Sequence, residues 1–537
     1  MRKWGIIGLL TTLILAMGCA KERLAPETGG DDMPQPKYYL ALVLHPQGES
    51  GSATKASEGS PNAFENAAIS EMLVAHADVF FYDASGNYLE KKHLVGLKYN
   101  TNPEGSSVEA QTGYQVVELR HRPYRMLVTA NLRDEDVMAL TGKTVAQAQD
   151  VVSDVACKWA SSLSVNYEVN GTPGVADVYP FPMTSSTWLS NAGEVMNEVS
   201  VPEMYLKETE AKAATTPLEV YMERLAAKVT LRMPSLEYKI PAVTTENNIS
   251  TKVNVLGWGL NATNKSSYLF KRIQKTWYAD FSWTWNNTAK RRSYWAQDPN
   301  YGGGTYPVQA SDLDGSEALN YVAYDGLTST LADDGAGYYS GSLYCRENTA
   351  DGQNLPLADG ATTLYPRITH ILVQAQLEFS LASGTDAKGY TSATDIYRYN
   401  GVFYATEADA LAAKGSNPGE ITCFKDRIMY YKIPVEHLNA TYPSSGTSYN
   451  TGNYGVVRNH NYTVTVAGLT GIGTPVPDVT EPIVPRRTPG EYQLSVYITV
   501  SPWRQFVQNF VFVDPSGAIQ TNGQQIENWT DTNGWYE

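Results

Sequence analysis

Between Gly473 and Gly490 the chain carries prolines at positions 475, 477, 482, 485 and 489. Proline fixes φ and lacks an amide proton, so this run is neither a helix nor an inner strand. Directly after it comes Glu491-Tyr-Gln-Leu-Ser-Val-Tyr-Ile-Thr-Val-Ser-Pro-Trp503, in which Tyr492, Leu494, Val496, Ile498 and Val500 share one face. Gln493, Ser495, Thr499 and Ser501 share the other, with Tyr497 as its one large residue. Strict alternation of β-branched and aromatic residues predicts a half-buried strand. A proline-rich tether is extended at roughly 3.1 Å per residue, so residues 473–490 span up to about 55 Å. The strand can therefore pair well away from the fold that precedes it, or return across its own sandwich; the pattern allows both.

The 537 residues suffice for two or three domains with full cores. Charged residues make up 18%, below the usual quarter, while the 36 tyrosines and 43 glycines point to strand-rich, extracellular β structure. A net charge of −15 with no long basic cluster argues against a nucleic-acid partner. At the start, Arg2 and Lys3 precede the apolar run Ile6–Met17, too short for a good membrane span, and Leu15-Ala16-Met17-Gly18-Cys19 closes it. Small residues at the −1 and −3 positions resemble a bacterial lipoprotein signal, which implies lipidation at Cys19, palmitate included, and an outer-membrane lipoprotein precursor. Cys157, Cys345 and Cys423 are too few and too scattered for a disulfide framework or a metal cluster. Cys345 and Cys423 could pair in an oxidising compartment, but buried free thiols are the expectation for all three.

In chain order, a polar leader precedes Lys37-Tyr-Tyr-Leu-Ala-Leu-Val-Leu-His45, a strand with Tyr38, Leu40, Leu42 and Leu44 on one face. Residues 46–61 are rich in Gly and Ser and carry Lys55, the sole Lys or Arg between Lys37 and Lys91. Exposed linkers of this composition are where proteases cut. Ala77–Tyr82 with the turn 83–87 reads as a hairpin, and Tyr124–Asn131 as a further strand. Helices are expected over Asp134–Leu140, within Ala146–Trp159 and over Ala405–Lys414, and a short ordered loop over Phe181–Ser186. Leu218–Leu231 opens a new patterned block, which puts a domain boundary near residue 215. Strands are expected at 251–258, 371–379, 427–434 and 461–467, around an irregular region spanning 268–350. Short strands separated by turn clusters suggest β-sandwiches.

No catalytic constellation stands out. The seven histidines are scattered without an i,i+4 pair, and there is no G-x-S-x-G, Walker A or G-x-G-x-x-G motif. The reading is a non-enzyme without cofactor or metal. Trp277, Tyr278, Trp283, Trp285, Tyr294 and Trp295 would suit a glycan-stacking platform, although such residues are also ordinary sandwich core.

Val457-Arg-Asn-His-Asn-Tyr-Thr-Val-Thr-Val-Ala-Gly-Leu-Thr-Gly-Ile-Gly-Thr474, the proline run and Val496-Tyr-Ile-Thr-Val-Ser-Pro-Trp503 together resemble the C-terminal region of type V pilus fimbrillins. The shaft subunit of the minor, short fimbria, with its Mfa-type C-terminal domain, is the nearest class. Met222–Val229, Trp258–Lys265, Arg292–Ala296 and Tyr344–Thr349 add to the likeness. The resemblance implies an all-β chain of two transthyretin-like β-sandwich domains with short helices in loops. It divides the chain into a lipoprotein signal (1–19), a propeptide with the first strand (20–55), an N-terminal domain (56–215), a C-terminal domain (216–472), a tether (473–490), and a donor strand with tail (491–537). It further implies a trypsin-like protease that cuts before the mature N-terminus. Family members commonly have arginine there, but no Arg lies between Arg23 and Arg120, so Lys55 and Ala56 are the expected processing pair. The displaced first strand would be Tyr38, Leu40, Leu42 and Leu44, and its groove would take a neighbour's Tyr492, Leu494, Val496, Ile498 and Val500. Partners would be identical subunits head to tail, anchor and tip subunits, and the outer membrane for the precursor; location would be a cell-surface fimbrium serving adhesion. The alternative is a retained surface lipoprotein, either a fimbrial anchor or a glycan binder.

Overall fold

Strands are the main element of the described residues, and many of them alternate between core and solvent. The computed structural model describes residues 37–46, 71, 73–97, 99–101, 111–169, 172–189, 195–240, 243–272, 296–299, 318–349, 365–436, 454–469, 471–485, 494–502, 510–513 and 519–522. Helices are few and short, and the chain is all-β, the class expected from sequence.

The first half contains β1 (Tyr38–Pro46), β2 (His76–Tyr82), β3 (Tyr88–Val95), β4 (Gln115–Leu119), β5 (Arg125–Ala130), α1 (Asp134–Leu140), α2 (Val145–Gln149), β6 (Met183–Ser185), β7 (Val199–Ser200), α3 (Glu210–Ala214) and β8 (Leu218–Arg224). They build a sheet in the order β3-β2-β5-β6-β8-β1-β4, with β7 beside β5. The end strands β3 and β4 approach each other. Glu90 on β3 fastens them, its Oε1 accepting from the amides of Arg120 (2.8 Å) and His121 (3.2 Å). The sheet thus curls round a core that includes Leu40, Leu42, Leu44, Val79, Phe81, Val128, Val220 and Met222. The face of β2 that starts with His76 and Asp78 turns apolar at Phe80 and Tyr82, which need a second cover; Val137 and Leu140 of α1 supply it, together with Leu269 and Phe270.

The hairpin β2–β3 turns as its sequence predicts, with Asp83 Oδ1 accepting from Ser85 and Asn87 amides (both 2.8 Å) and Gly86 at φ 83°. Within Ala146–Trp159 only the stretch to Gln149 is helical, started by a Thr144–Gln147 capping box. Val152–Ser153, which follows, pairs with Ser267–Tyr268. Phe181–Ser186, expected as a loop, holds β6, an inner strand between β5 and β8. Its three residues are all buried, so no alternation betrays it.

The second half contains β9 (Ala226–Met233), β10 (Glu237–Lys239), β11 (Ile249–Asn261), β12 (Ala332–Asp333), β13 (Tyr339–Arg346), β14 (His370–Leu381), α4 (Glu407–Lys414), β15 (Ile428–Pro434), β16 (His460–Leu469), β17 (Thr474–Pro475) and β18 (Leu494–Pro502). Two sheets, β12-β13-β9-β16-β18 and β10-β11-β14-β15-β17, face each other. Val229, Leu231, Tyr462 and Val464 of one meet Trp258, Val373, Leu377 and Tyr431 of the other in a sandwich core. A bulge in β11 between Val255 and Gly257 admits Leu327, whose carbonyl oxygen would lie 2.3 Å from a Cβ at 257.

The patterned block 218–231 proves to be two strands. β8 belongs to the first sheet and β9 to the second, so the chain changes sheets at Leu225. Among the described residues of 268–350, expected to be irregular, β13 runs the full length of β9. Among the thiols, Cys345 is buried and Cys157 half-buried, but Cys423 is exposed, and none is paired. Cys423 points outward because its neighbour Phe424 takes the inward position of a three-residue strand.

His370 and His460 head the inner strands β14 and β16 and are 0% and 1% exposed. Burial pushes both down to about 3. Between that value and the ordinary 6.5 the unfolded chain binds protons that the fold does not. Stability therefore rises with pH across this window and is lost as pH falls through it, by up to about 1.4 kcal/mol per pH unit for each ring. Denaturant midpoints measured from pH 7 to 4 should fall steeply, and His370→Asn should flatten that slope relative to the parent.

Candidate functional site: the seat of the first strand

β1 is first in the chain but lies inside the sheet. Antiparallel to β4, it pairs Tyr38 with Leu119 through Leu42 with Gln115. Parallel to β8, it pairs Leu42 with Leu218 through Pro46 with Met222. Ahead of that ladder, Tyr39 and Lys207 exchange both backbone hydrogen bonds, at 2.8 and 2.9 Å. The amide of Leu44 donates to Thr112 Oγ1 at 3.0 Å. Leu40, Leu42 and Leu44 are at most 1% exposed, and Tyr38 packs at the rim of the same core. The other face, Ala41 and Val43, is buried as well, and α3 lies against β1 and β4. Each leucine contributes about 1.5–3 kcal/mol of burial, so the three hold the strand with roughly 5–9 kcal/mol as an upper estimate. The ion pair of Lys37 with Glu118 (2.8 Å) is solvent-exposed and adds little, although it raises the Lys37 pKa and lowers that of Glu118.

Beyond β1 the description resumes at Glu71, which sits where the two sheets meet. Its carbonyl accepts from Arg224 Nε (2.8 Å), and its carboxylate pairs with Lys228 (3.2 Å) and receives the Tyr344 hydroxyl. Around it the seam is built from buried charge. Lys271 meets Glu223 at 3.1 Å with both side chains 0% exposed, and Arg458 meets Glu347 at 3.1 Å with both at 1%. Arg458 also donates to the carbonyls of Leu269 (3.1 Å) and Tyr268 (2.7 Å), and Arg346 to those of Val155 and Asn264 (both 3.1 Å). Burial raises the Glu223 carboxyl above its ordinary value, while Lys271 and Arg458 oppose that shift. Asn348 donates to Ala262 O and Arg367 O, both at 2.9 Å, and Asn264 to Glu347 O at 2.7 Å. Sequence reasoning missed this seam as a unit. The signal was there: Met222–Val229, Trp258–Lys265, Tyr344–Thr349 and the start of Val457–Thr474 all supply residues to it.

At the other end, β18 pairs antiparallel with β16, from His460 with Pro502 to Leu469 with Leu494, and forms the edge of its sheet. The proline run is not clear of its domain over its first part. Thr474–Pro475 pairs with Met429–Tyr430, Val476 and Ile483 are buried beside Tyr324 and Leu372, and Asn261 donates to Ile483 O at 2.6 Å. Cys19, Lys55, Ala56, Tyr492 and the aromatics of 277–295 lie outside the described residues. For Leu494, Val496, Ile498 and Val500 the backbone pairing is described.

Residues 422–509 match the family model for the major fimbrial subunit protein type IV, fimbrillin, C-terminal region. That region contains β15, β16 and β18, and the match supports the type V class with a Mfa-type C-terminal domain read from the sequence. No curated protein matches the chain in sequence. Among solved structures, a fimbrilin (fimA) from Porphyromonas gingivalis W83 is 14% identical, covering 88% of this chain and 98% of its own at a TM-score of 0.35. The tip fimbrial protein Mfa3 from Porphyromonas gingivalis, with a C-terminal truncation, is 10% identical over 86% of this chain and 99% of its own, TM-score 0.34. A proposed cell adhesion protein from Parabacteroides distasonis ATCC 8503 is 12% identical over 87% and 100%, TM-score 0.37.

Two substitutions probe the site. In the full-length protein Leu42→Ala should cost about 2–5 kcal/mol, the range for deleting a buried leucine side chain, whereas Lys37→Ala should leave the denaturation midpoint unchanged. At the seam, Lys271→Met strands the Glu223 carboxylate and should cost about 3–5 kcal/mol; adding Glu223→Leu should restore most of it, as read by the same denaturation curves.

Proposed function

We propose that the chain is a structural, non-enzymatic shaft subunit of a cell-surface fimbria, and that it polymerises by donor-strand exchange after losing its first strand. The observation that carries this reading is the position of β1. It is an inner strand with a partner on each side, yet the chain between it and Glu71 includes the Gly/Ser-rich linker with its lone Lys55. A cut after Lys55 removes the covalent link of β1 to the domain and leaves Glu71 and all that follows in place. The vacated slot then exposes the ladder edges of β4 and β8 and uncovers Val117, Leu119, Val220 and Met222. Unpaired edges flanking an apolar groove are a template for strand addition.

The donor in this reading is the face Tyr492, Leu494, Val496, Ile498 and Val500 of a neighbouring subunit. As an edge strand, β18 has one ladder partner; the slot of β1 offers two. A donor running in the direction of β1 would reproduce both of its ladders. Head-to-tail donation that does not close on itself makes a filament. The precursor in this reading is an outer-membrane lipoprotein acylated at Cys19, cut by a trypsin-like protease, and its partners are further copies with anchor and tip subunits.

N-terminal sequencing of material sheared from cells is expected to begin at Ala56. An acylated Cys19 there would overturn the shaft reading in favour of a retained lipoprotein, an anchor or a glycan binder. Lys55→Ala should accumulate as an uncut, lipidated monomer. Truncation after Gly490 should leave a folded, exported and clipped subunit that forms no SDS-resistant ladder on a gel; ladders from it would refute exchange through β18.

A further inference from the structure

The hairpin β2–β3 carries three metal-competent side chains on one face. Antiparallel register sets Asp78 directly opposite His93, and His76 lies two residues before Asp78 on the same side of the strand. His93 Nδ1 is 3.0 Å from Asp78 Oδ1, and the two imidazole rings are 5.8 Å apart between centroids. A ring nitrogen of each histidine and one carboxylate oxygen all lie within 4.8 Å of one another.

The surroundings favour a cation in that space. Asp78 is 2% exposed, and a carboxylate so enclosed needs positive charge beside it. Lys91 supplies some, with Nζ 3.3 Å from Oδ1, but from a half-exposed arm on the edge strand β3. His76 Nδ1 is enclosed with no hydrogen-bond partner among the described residues, although an imidazole nitrogen shut away from water ordinarily has one. The edge of Trp159, 5.9 Å between centroids, walls the His76 ring.

We propose that His76, Asp78 and His93 form a site for one divalent transition-metal ion. Two imidazoles and one carboxylate suit zinc, cobalt, nickel or copper and not calcium or magnesium, which take mostly oxygen. Three protein ligands leave a position for water. The ion displaces the Lys91 ammonium from Asp78 and pins the edge strand β3 to β2, the strand that separates the two apolar clusters of the first sheet.

The test uses the full-length protein without a histidine tag, stripped with chelator and titrated with cobalt(II) chloride. One equivalent should bind with visible d–d absorption, and zinc should displace it. His93→Ala removes a half-exposed ligand that the fold tolerates, a point checked by circular dichroism, and should weaken binding by at least ~10-fold, the scale on which even outer-shell partners act. Lys91→Gln removes the competing cation and should tighten it. Absence of d–d bands at one equivalent, or equal affinity for parent and His93→Ala, would overturn the site.

Discussion

The double pairing of β1 is the constraint on which the first half of the structure depends. A sheet can lose an edge strand and remain a sheet; it cannot lose an inner one without leaving two open edges and a trench. β1 bridges β4 and β8, and its three leucines lie at the centre of the core that the curled sheet encloses. Glu90 fastens the far side of the curl, so the remaining strands have a fixed frame around the place β1 fills. A preformed trench is a better template than a floppy one, because less ordering entropy opposes whatever enters it.

The seam between the two sheets ties that frame to the second half through buried charge. Lys271, Glu223, Arg458, Glu347, Lys228 and Glu71 are charged yet enclosed, and each has an opposite partner in the set. Replacing such pairs by apolar residues is often neutral or stabilising, so their presence argues for a role other than raw stability. Charge pairs and hydrogen bonds to specific carbonyls are directional in a way that apolar contacts are not. Arg346 and Arg458 both end on backbone carbonyls of neighbouring segments. That arrangement fixes how β8 hands over to β9 and holds Glu71 independently of β1. In the proposed exchange, the seam would hold the rest of the fold while the first strand leaves.

Long alternating strands were legible because their side-chain period of two survives in the sequence: 38–44, 371–379 and 461–467 all lie within observed strands. Where burial breaks that period, reading failed. Met183–Ser185 is buried at every position, and Tyr339–Arg346 carries small residues and is exposed or half-exposed everywhere but Cys345, so one looked like a loop and the other like irregular chain. The change of sheets at Leu225 was hidden because Leu218–Arg224 and Ala226–Met233 are both apolar on their inward faces and run on without a turn residue. The seam was illegible for a different reason. A lone Glu or Lys in a strand reads as solvated, and its partner is more than a hundred residues away for Arg458 and Glu347. The metal-competent trio hid likewise: His76 and His93 are seventeen positions apart in sequence, and the hairpin register alone makes them neighbours.

The two ends of the chain differ in how they are held. β1 is secured by two ladders and a buried leucine face, β18 by one ladder at an edge. Between an edge seat at home and an inner seat on another subunit, the inner seat satisfies a second row of backbone groups that at the edge face water. Each such hydrogen bond is worth a net of only about 0.5–1.5 kcal/mol, so the row matters through its length and not through any one member. Apolar burial in the trench adds to the same side. Against both stands the entropy of joining two subunits, several kcal/mol at the least. An exchange of this kind is favourable only when the slot is empty, because β1, covalently attached, occupies it at an effective concentration no separate chain can match. In the proposed exchange, cutting the linker would remove that advantage at a stroke, and control over assembly would then reside in the cut itself.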